Sequence, residues 1–179
     1  MEQILITGGG GFVGSHLAHY LYVQGNFVRV VDIKFDDYIK EKYCSEKLQL
    51  DLRIWENCLT VAKGMDRVYN LAANMGGIGF ITAVGAEVMH DNALINTYML
   101  EASRQRKVKR FLFSSSACAY PTYKQTDPNV KGLREEDAYP ADPDNFYGWE
   151  KNCSQRKCAK PTRDTTRAPS VGVGRIIKK

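Results

Sequence analysis

No stretch of this 179-residue chain is apolar for as long as a bilayer crossing requires. Nor does it open on a basic-then-apolar export signal, since Glu2 precedes a strand pattern, so neither membrane nor secretion is expected. The five cysteines, Cys44, Cys58, Cys118, Cys153 and Cys158, are scattered, odd in number and without metal-ligand spacing. That predicts no metal site and a reduced, cytoplasmic setting. Internal repeats and low-complexity tracts are missing, which argues against a repeat architecture. No nucleic-acid module motif accompanies the net charge of +5, and the charge lies in the wrong place for one. After Lys151 there are eight basic residues against Asp164 alone, so residues 1–151 are mildly acidic. With 44% apolar residues, the chain has the size and composition of one soluble globular domain.

The informative stretch is ILITGGGGFVG, from Ile4 to Gly14. Ile4, Leu5 and Ile6 predict a short buried strand, and Phe12, Val13, His16, Leu17, Tyr20 and Leu21 recur at helical spacing. Between them Gly8, Gly11 and Gly14 stand in a G-x-x-G-x-x-G run, a variant of the dinucleotide-binding fingerprint. Glycine serves there for a tight turn, for close approach of backbone to a pyrophosphate and for close helix–strand packing. The helix N-terminus that follows adds N–H groups without intrahelical acceptors and a partial positive charge. A second strand, Phe27 to Ile33, carries Asp32 eighteen residues after Gly14, near the spacing at which a carboxylate meets an adenosine ribose. Such a carboxylate repels a 2′-phosphate and favours NAD over NADP, while the nearby Lys34 works against that preference.

Further on, the segment from Asp36 to Lys47 is polar and irregular. Leu48 to Leu52 predicts a third strand with Asp51 at its end, and a helix bearing Trp55 follows. Asp66 to Ala73 predicts a fourth strand covered on both faces. The glycine-rich segment Asn74 to Ala86 then leaves a strand end, where open α/β sheets place ligand loops. A helix is expected from Glu87 to Arg106, its apolar side formed by Val88, Met89, Ala93, Leu94, Thr97, Tyr98 and Leu100 to Ala102. Phe111 to Phe113 is a fifth strand, followed by Ser114, Ser115, Ser116, Ala117 and Cys118. Pro121 to Pro143 has no helical or strand period, and a last helix opens at Tyr147. Alternation of this kind predicts an α/β protein, a Rossmann-like doubly wound parallel sheet. Residues 1–151 form the expected domain, with 152–179 a basic tail of low order. Pro161 is expected to stop the last helix, and Val171 to Ile177 to add a strand at the sheet edge.

Tyr147 and Lys151 are four apart and share a helix face. An ammonium beside a phenol favours the phenolate, which predicts a lowered tyrosine pKa and a base for a sugar hydroxyl. Ser116 is placed to hold a substrate hydroxyl against the tyrosine oxygen. Cys118 is open to two readings: an inert packed thiol, the usual fate of a free cysteine, or a soft base that removes a carbon-bound proton beside a ketone.

Gly8-x-x-Gly11-x-x-Gly14, Ser116 and Tyr147-x-x-x-Lys151 together resemble the extended short-chain dehydrogenase/reductase superfamily. Within it, NLAANMGGIGFI (Asn70–Ile81), SSSACAYP (Ser114–Pro121) and YGWEK (Tyr147–Lys151) are similar to the GDP-mannose 3,5-epimerase family, over residues 3–151. The resemblance implies NAD, with Gly8, Gly11, Phe12, Val13 and Gly14 at its phosphates and Asp32, Asp51 and Leu52 at its adenosine half. It implies Tyr147 as base for transient oxidation at C4, Lys151 on the tyrosine and the nicotinamide ribose, and Cys118 as one of the groups exchanging protons at C3 and C5. Gly76, Gly77, Ser116, Ala117 and Cys118 would contact the sugar of a nucleotide-sugar substrate of the GDP-mannose class. Members of that family run about as long again beyond Lys151. The resemblance therefore implies a chain truncated before the sugar-nucleotide-binding domain, an inactive or incomplete form, and the lost portion as the source of the second acid–base group. It also allows a homodimer through the helices near Glu87–Arg106 and Tyr147–Lys151. Two alternatives stand beside it. One is a catalytically silent NAD-binding fragment or pseudoenzyme. The other is UDP-sugar 4-epimerase or dehydratase chemistry, which leaves Cys118 and the second glycine loop unexplained.

Overall fold

The structure is a computed structural model that describes residues 1–35, 43–126, 132–159 and 170–174. Its first strand, β1 (Gln3–Thr7), is covered on both faces: Ile4 and Ile6 enter one core cluster and Leu5 the other. There follow α1 (Phe12–Val23), β2 (Phe27–Asp32), β3 (Glu46–Gln49), α2 (Trp55–Val61), β4 (Arg67–Asn70), α3 (Ile78–Ala83), α4 (Gly85–Gln105), β5 (Arg110–Ser114), α5 (Phe146–Ala159) and β6 (Ser170–Gly174). The strands pair in parallel in the order β3-β2-β1-β4-β5-β6. This is the expected doubly wound, Rossmann-like parallel sheet.

One face packs Ile4, Ile6, Val28 and Val30 against Ala18 and Leu21 of α1. The other packs Leu5, Val68, Phe111 and Phe113 against Val61 of α2, Met99 of α4 and Cys158 of α5. Each such side chain removed from water contributes about 1.5–3 kcal/mol. The strand order decides where a ligand can sit. The chain starts in mid-sheet, works outward to β3, then crosses back to β4 on the other side of β1. Loops leaving the carboxyl ends of β1 and β4 therefore part company and open a crevice between them.

Several boundaries differ from expectation. β3 ends at Gln49, so Asp51 and Leu52 lie beyond the strand, in the turn leading to α2. β4 stops at Asn70 because the next two amides, of Leu71 and Ala72, turn away to donate to Thr7 Oγ1, both at 3.1 Å. The glycine segment after Asn74 contains α3, and α4 begins at Gly85. Between Pro121 and Pro143, single 3-10 turns form at Thr122–Lys124 and Glu135–Ala138. α5 continues past Lys151 to Ala159. At the sheet edge, β6 pairs with β5 from Arg110 opposite Ser170 to Ser114 opposite Gly174. Expectations placed on Asp36 to Lys40, on Pro161 and on residues 175–179 lie outside the described residues.

The buried side of α4 is the largest departure. Val88, Asp91, Asn92, Ile95, Asn96, Met99, Ala102 and Ser103 are buried, whereas Thr97 is exposed and Met89, Ala93, Leu94, Tyr98 and Leu100 are only partly covered. Polar side chains occupy the core-facing stripe because the strand ends beneath it offer hydrogen-bonding groups.

Candidate active site

The glycine turn between β1 and α1 is built by contacts that exclude larger residues. Gly8 has φ +70°, and a Cβ there would lie 2.8 Å from the backbone of Leu71 and Ala72. A Cβ on Gly14 would run into the Gly8 carbonyl oxygen, so α1 can start this close to β1 only with glycine. Gly11 is the N-cap of α1, and the first-turn N–H groups of Val13 and Gly14 point out of the helix start without intrahelical acceptors. Asp32, at the end of β2, accepts from the Gly10 N–H at 2.9 Å and from the Lys34 N–H at 3.3 Å. Its carboxylate thus braces the turn and faces the crevice at once.

That crevice is a cavity of about 480 Å³, within the usual range for small-molecule sites. Gly8, Gly10, Gly11, Asp32, Asp51 and Leu52 line it together with Ala73, Asn74 and Met75. Asp51 accepts from the Arg53 side chain at 2.7–3.1 Å, and Arg53 also donates to Asp91 of α4 at 2.8 Å. The bonds from Arg53 hold the Asp51 carboxyl below its ordinary range, against the effect of burial. Burial pushes Asp91 up, but bonds from His90, Asn74 and Arg53 outweigh it and leave Asp91 lowered as well.

The sequence-predicted reactive groups Ser116, Cys118, Tyr147 and Lys151 are not among the residues lining this cavity and adjoin it through Met75. The Tyr147 hydroxyl donates to Met75 Sδ at 3.1 Å. Ser116 caps the 3-10 turn Ala117–Ala119, its Oγ accepting from the Cys118 N–H at 3.2 Å, and its side chain also hydrogen-bonds the tyrosine. Cys118 packs into the small cluster of Tyr147, Ile81 and Val88. This closeness has a local cause in Gly148: a Cβ there would strike the Cys118 carbonyl oxygen and come within 2.8 Å of Pro143. A Cβ on Gly76 would lie 2.9 Å from the Phe80 side chain, and Gly77 caps α3.

The expectation of a lowered tyrosine pKa is overturned. Burial pushes the Tyr147 phenol up to about 12; the Ser116 bond lowers it, while Cys118 and Glu150 raise it further. The Lys151 ammonium does not reach the phenol oxygen. Its Nζ lies 4.9 Å from the Phe113 ring centre and 5.4 Å from that of Tyr147, and burial lowers its own pKa while Glu150 opposes the shift. In both groups burial shifts the balance toward the neutral form, and in Lys151 the neighbouring Glu150 works against that shift.

Sequence reasoning missed Arg53, Asp91, Met75 and a buried run of polar side chains. In that run Thr7 Oγ1 donates to Asn70 at 2.8 Å, Asn70 to Asn96 at 2.7 Å, and Asn96 to Glu150 Oε1 at 2.7 Å. Asn92 and Asn96, at core-facing spacing on α4, were the available signal.

The family model for the NAD dependent epimerase/dehydratase family matches residues 4–171. GDP-mannose 3,5-epimerase 1 of Oryza sativa subsp. japonica is 45% identical over 163 residues, covering 90% of this chain and 43% of the relative. GDP-mannose 3,5-epimerase of Arabidopsis thaliana is 43% identical over the same shares. Among solved structures, a UDP-glucose 4-epimerase superposes with TM-score 0.80 at 26% identity, over 97% of this chain and 50% of that one. MoeE5 in complex with UDP-glucose and NAD gives 0.76 at 26%, over 97% and 52%. The chain thus spans less than half the length of these plant relatives.

Proposed function

The chain belongs to the NAD dependent epimerase/dehydratase family, and from that premise we propose that it is the cofactor-binding, proton-handling portion of a sugar-nucleotide epimerase of the GDP-mannose 3,5 type. What supports the reading is the gathering of Ser116, Cys118 and Tyr147 at Met75, a residue that also lines the cavity with Asp32 and Asp51. The residues fit NAD. The turn at Gly8 to Gly14 has no room for a Cβ at Gly8 or at Gly14, the start of α1 offers N–H groups to a pyrophosphate, and Asp32 and Asp51 face the cavity where ribose hydroxyls would lie.

NAD, when bound, supplies the acceptor and later the donor of a hydride. Tyr147 takes the proton of the sugar 4-hydroxyl, and Ser116 holds that hydroxyl against the phenol. Because the phenol is raised, it is a strong base once ionised and needs a nearby cation to ionise; Lys151, one helical turn on, fills that role. The 4-ketone acidifies the protons at C3 and C5, and Cys118 exchanges one of them with solvent from its own face of the ring. Gly76 and Gly77 leave the backbone of the second glycine loop open to the sugar. Asp32 favours NAD over NADP.

The alternative reading is one without turnover, cofactor binding alone. UDP-sugar 4-epimerase or dehydratase chemistry accounts for Tyr147 and Lys151 but gives Cys118 no task. A homodimer through the exposed sides of α4 and α5, with Trp149 40% exposed, belongs to the same proposal and is read by sedimentation. Incubation with NAD and GDP-mannose in deuterated water separates the readings. Deuterium at C3 or C5, lost in Cys118→Ser with NAD binding intact, supports the epimerase. Bound NAD with no exchange leaves the silent form, and exchange unchanged in Cys118→Ser removes Cys118 from the mechanism.

A further inference from the structure

Glu150 is 2% exposed, next to a lysine that is 4% exposed. Its two oxygens are treated differently. Oε1 accepts from Asn96 Nδ2 and from Ser154 Oγ, both at 2.7 Å. Oε2 has no hydrogen-bond donor among the described residues and lies 4.0 Å from Lys151 Nζ. The donors behind Oε1 form a directed series. The N–H groups of Leu71 and Ala72 donate to Thr7, Thr7 to Asn70, Asn70 to Asn96, and Asn96 to the carboxylate. Every link points its positive end toward Glu150, an arrangement that stabilises a negative charge there. A proton on Oε2 would find no acceptor, whereas a bare Oε2 finds the ammonium.

We propose that Glu150 is a positioning residue: its Oε2 is the counter-ion that keeps the Lys151 ammonium charged inside the protein, and the Thr7–Asn70–Asn96 series with Ser154 fixes that oxygen. This deepens, and rests on, the reading that Lys151 works at the Tyr147 site. Among the described residues the other groups around Lys151 supply no countercharge: the Phe113 ring comes from β5, the Tyr147 ring lies on its own helix, and Asn96 from α4 is spent on Oε1. Cys118 and Cys158 stand behind Tyr147 and Glu150 respectively. Without a carboxylate, an ammonium buried to this degree gives up its proton, since burial alone already lowers its pKa. The series also joins the end of β1, where the glycine turn starts, to the buried carboxylate beside Lys151, through β1, β4, α4 and α5.

The test reads Lys151 directly, without turnover. The full chain carrying 13C-labelled lysine and glutamate is titrated by NMR, with Lys151 assigned from Lys151→Arg. In Glu150→Gln, whose Oε1 still accepts from Asn96 and Ser154, the Lys151 midpoint is expected to fall by more than one pH unit, a tenfold or greater loss of ammonium at a given pH. Glu150→Asp should restore most of it. Superimposable Lys151 curves in the parent and a folded Glu150→Gln variant overturn the proposal. If that variant does not fold, the parent alone decides: the Glu150 13Cδ resonance must move at the same pH as Lys151 13Cε, and a Glu150 signal indifferent to that step overturns the pairing. Either failure leaves the deuterium-exchange result untouched, so the two readings fall separately.

Discussion

At the scale of single residues, the arrangement depends most on places where a side chain is missing. Gly148 is the clearest, because it sits in the first turn of α5 between the two groups of the proposed chemistry, Tyr147 and Lys151. The Cys118 carbonyl and Pro143, which an added Cβ would meet, are the reason that no side chain stands there. In Gly148→Ala, α5 must back away from the 3-10 turn Ala117–Ala119. Overpacking of that kind costs about 1–3 kcal/mol, offset in part by alanine's better helix propensity of about 1 kcal/mol. Urea denaturation is expected to show a net loss of up to roughly 2 kcal/mol by the same balance. Deuterium exchange should fall at least tenfold, because Tyr147 is displaced from Ser116 and Cys118, while NAD affinity holds, since the glycine turn lies elsewhere. A stable Gly148→Ala chain with parental exchange would mean that the close packing positions nothing.

At the scale of elements, the two walls of the cavity are strapped together by one arginine. Arg53, in the turn before α2, bonds Asp51 on its own side and Asp91 of α4 across the crevice, and Asp91 in turn accepts from Asn74 after β4. Arg53→Met leaves Asp91, 5% exposed, without its cation. Breaking a fully buried pair costs about 3–5 kcal/mol, but Arg53 is partly in water, so a loss of roughly 1–2 kcal/mol is expected. The pH dependence follows from the lowered pKa of both carboxyls. Their stabilisation is present above the unfolded value of 3.8 and is lost as pH falls through the lower folded values. The gap between parent and Arg53→Met in thermal melts should therefore stay constant near neutrality and close below pH 3.8; a gap that persists into acid would rule out the strap as its source. These elements also mark what the sequence disclosed. β1, the glycine turn and α1 were legible because strand, glycine run and helical period all agreed over a few residues. The inward face of α4 was not: Asp91, Asn92 and Asn96 sit at core-facing spacing, where hydrophobic periodicity looks for apolar residues, and their partners at Asn74, Asn70 and Glu150 are distant in sequence. Arg53 was missed for the same reason, since its second acceptor, Asp91, lies across the crevice.

At the scale of the whole molecule, the cavity is made by segments that leave the ends of different strands. β1 and β2 contribute the glycine turn and Asp32, the segment after β3 contributes Asp51 to Arg53, and the segment after β4 contributes Leu71 to Met75. A ligand spanning that cavity links both halves of the sheet and stabilises the fold as a unit by mass action. At a hundred times its dissociation constant NAD would add about 2.7 kcal/mol, which for a chain of this size raises Tm by roughly 5–10 °C. NADP brings its 2′-phosphate against the Asp32 carboxylate, whose oxygens are already turned toward Gly10 and Lys34. Two negative groups in contact at that wall reduce affinity, and the nearby Lys34 side chain offsets only part of the repulsion. Thermal melts with matched NAD and NADP should therefore separate, with NAD giving the larger rise and Asp32→Ala bringing the two together. A rise with NADP equal to that with NAD in the parent would show that Asp32 braces the turn and nothing more, and that cofactor choice is made elsewhere along the cavity.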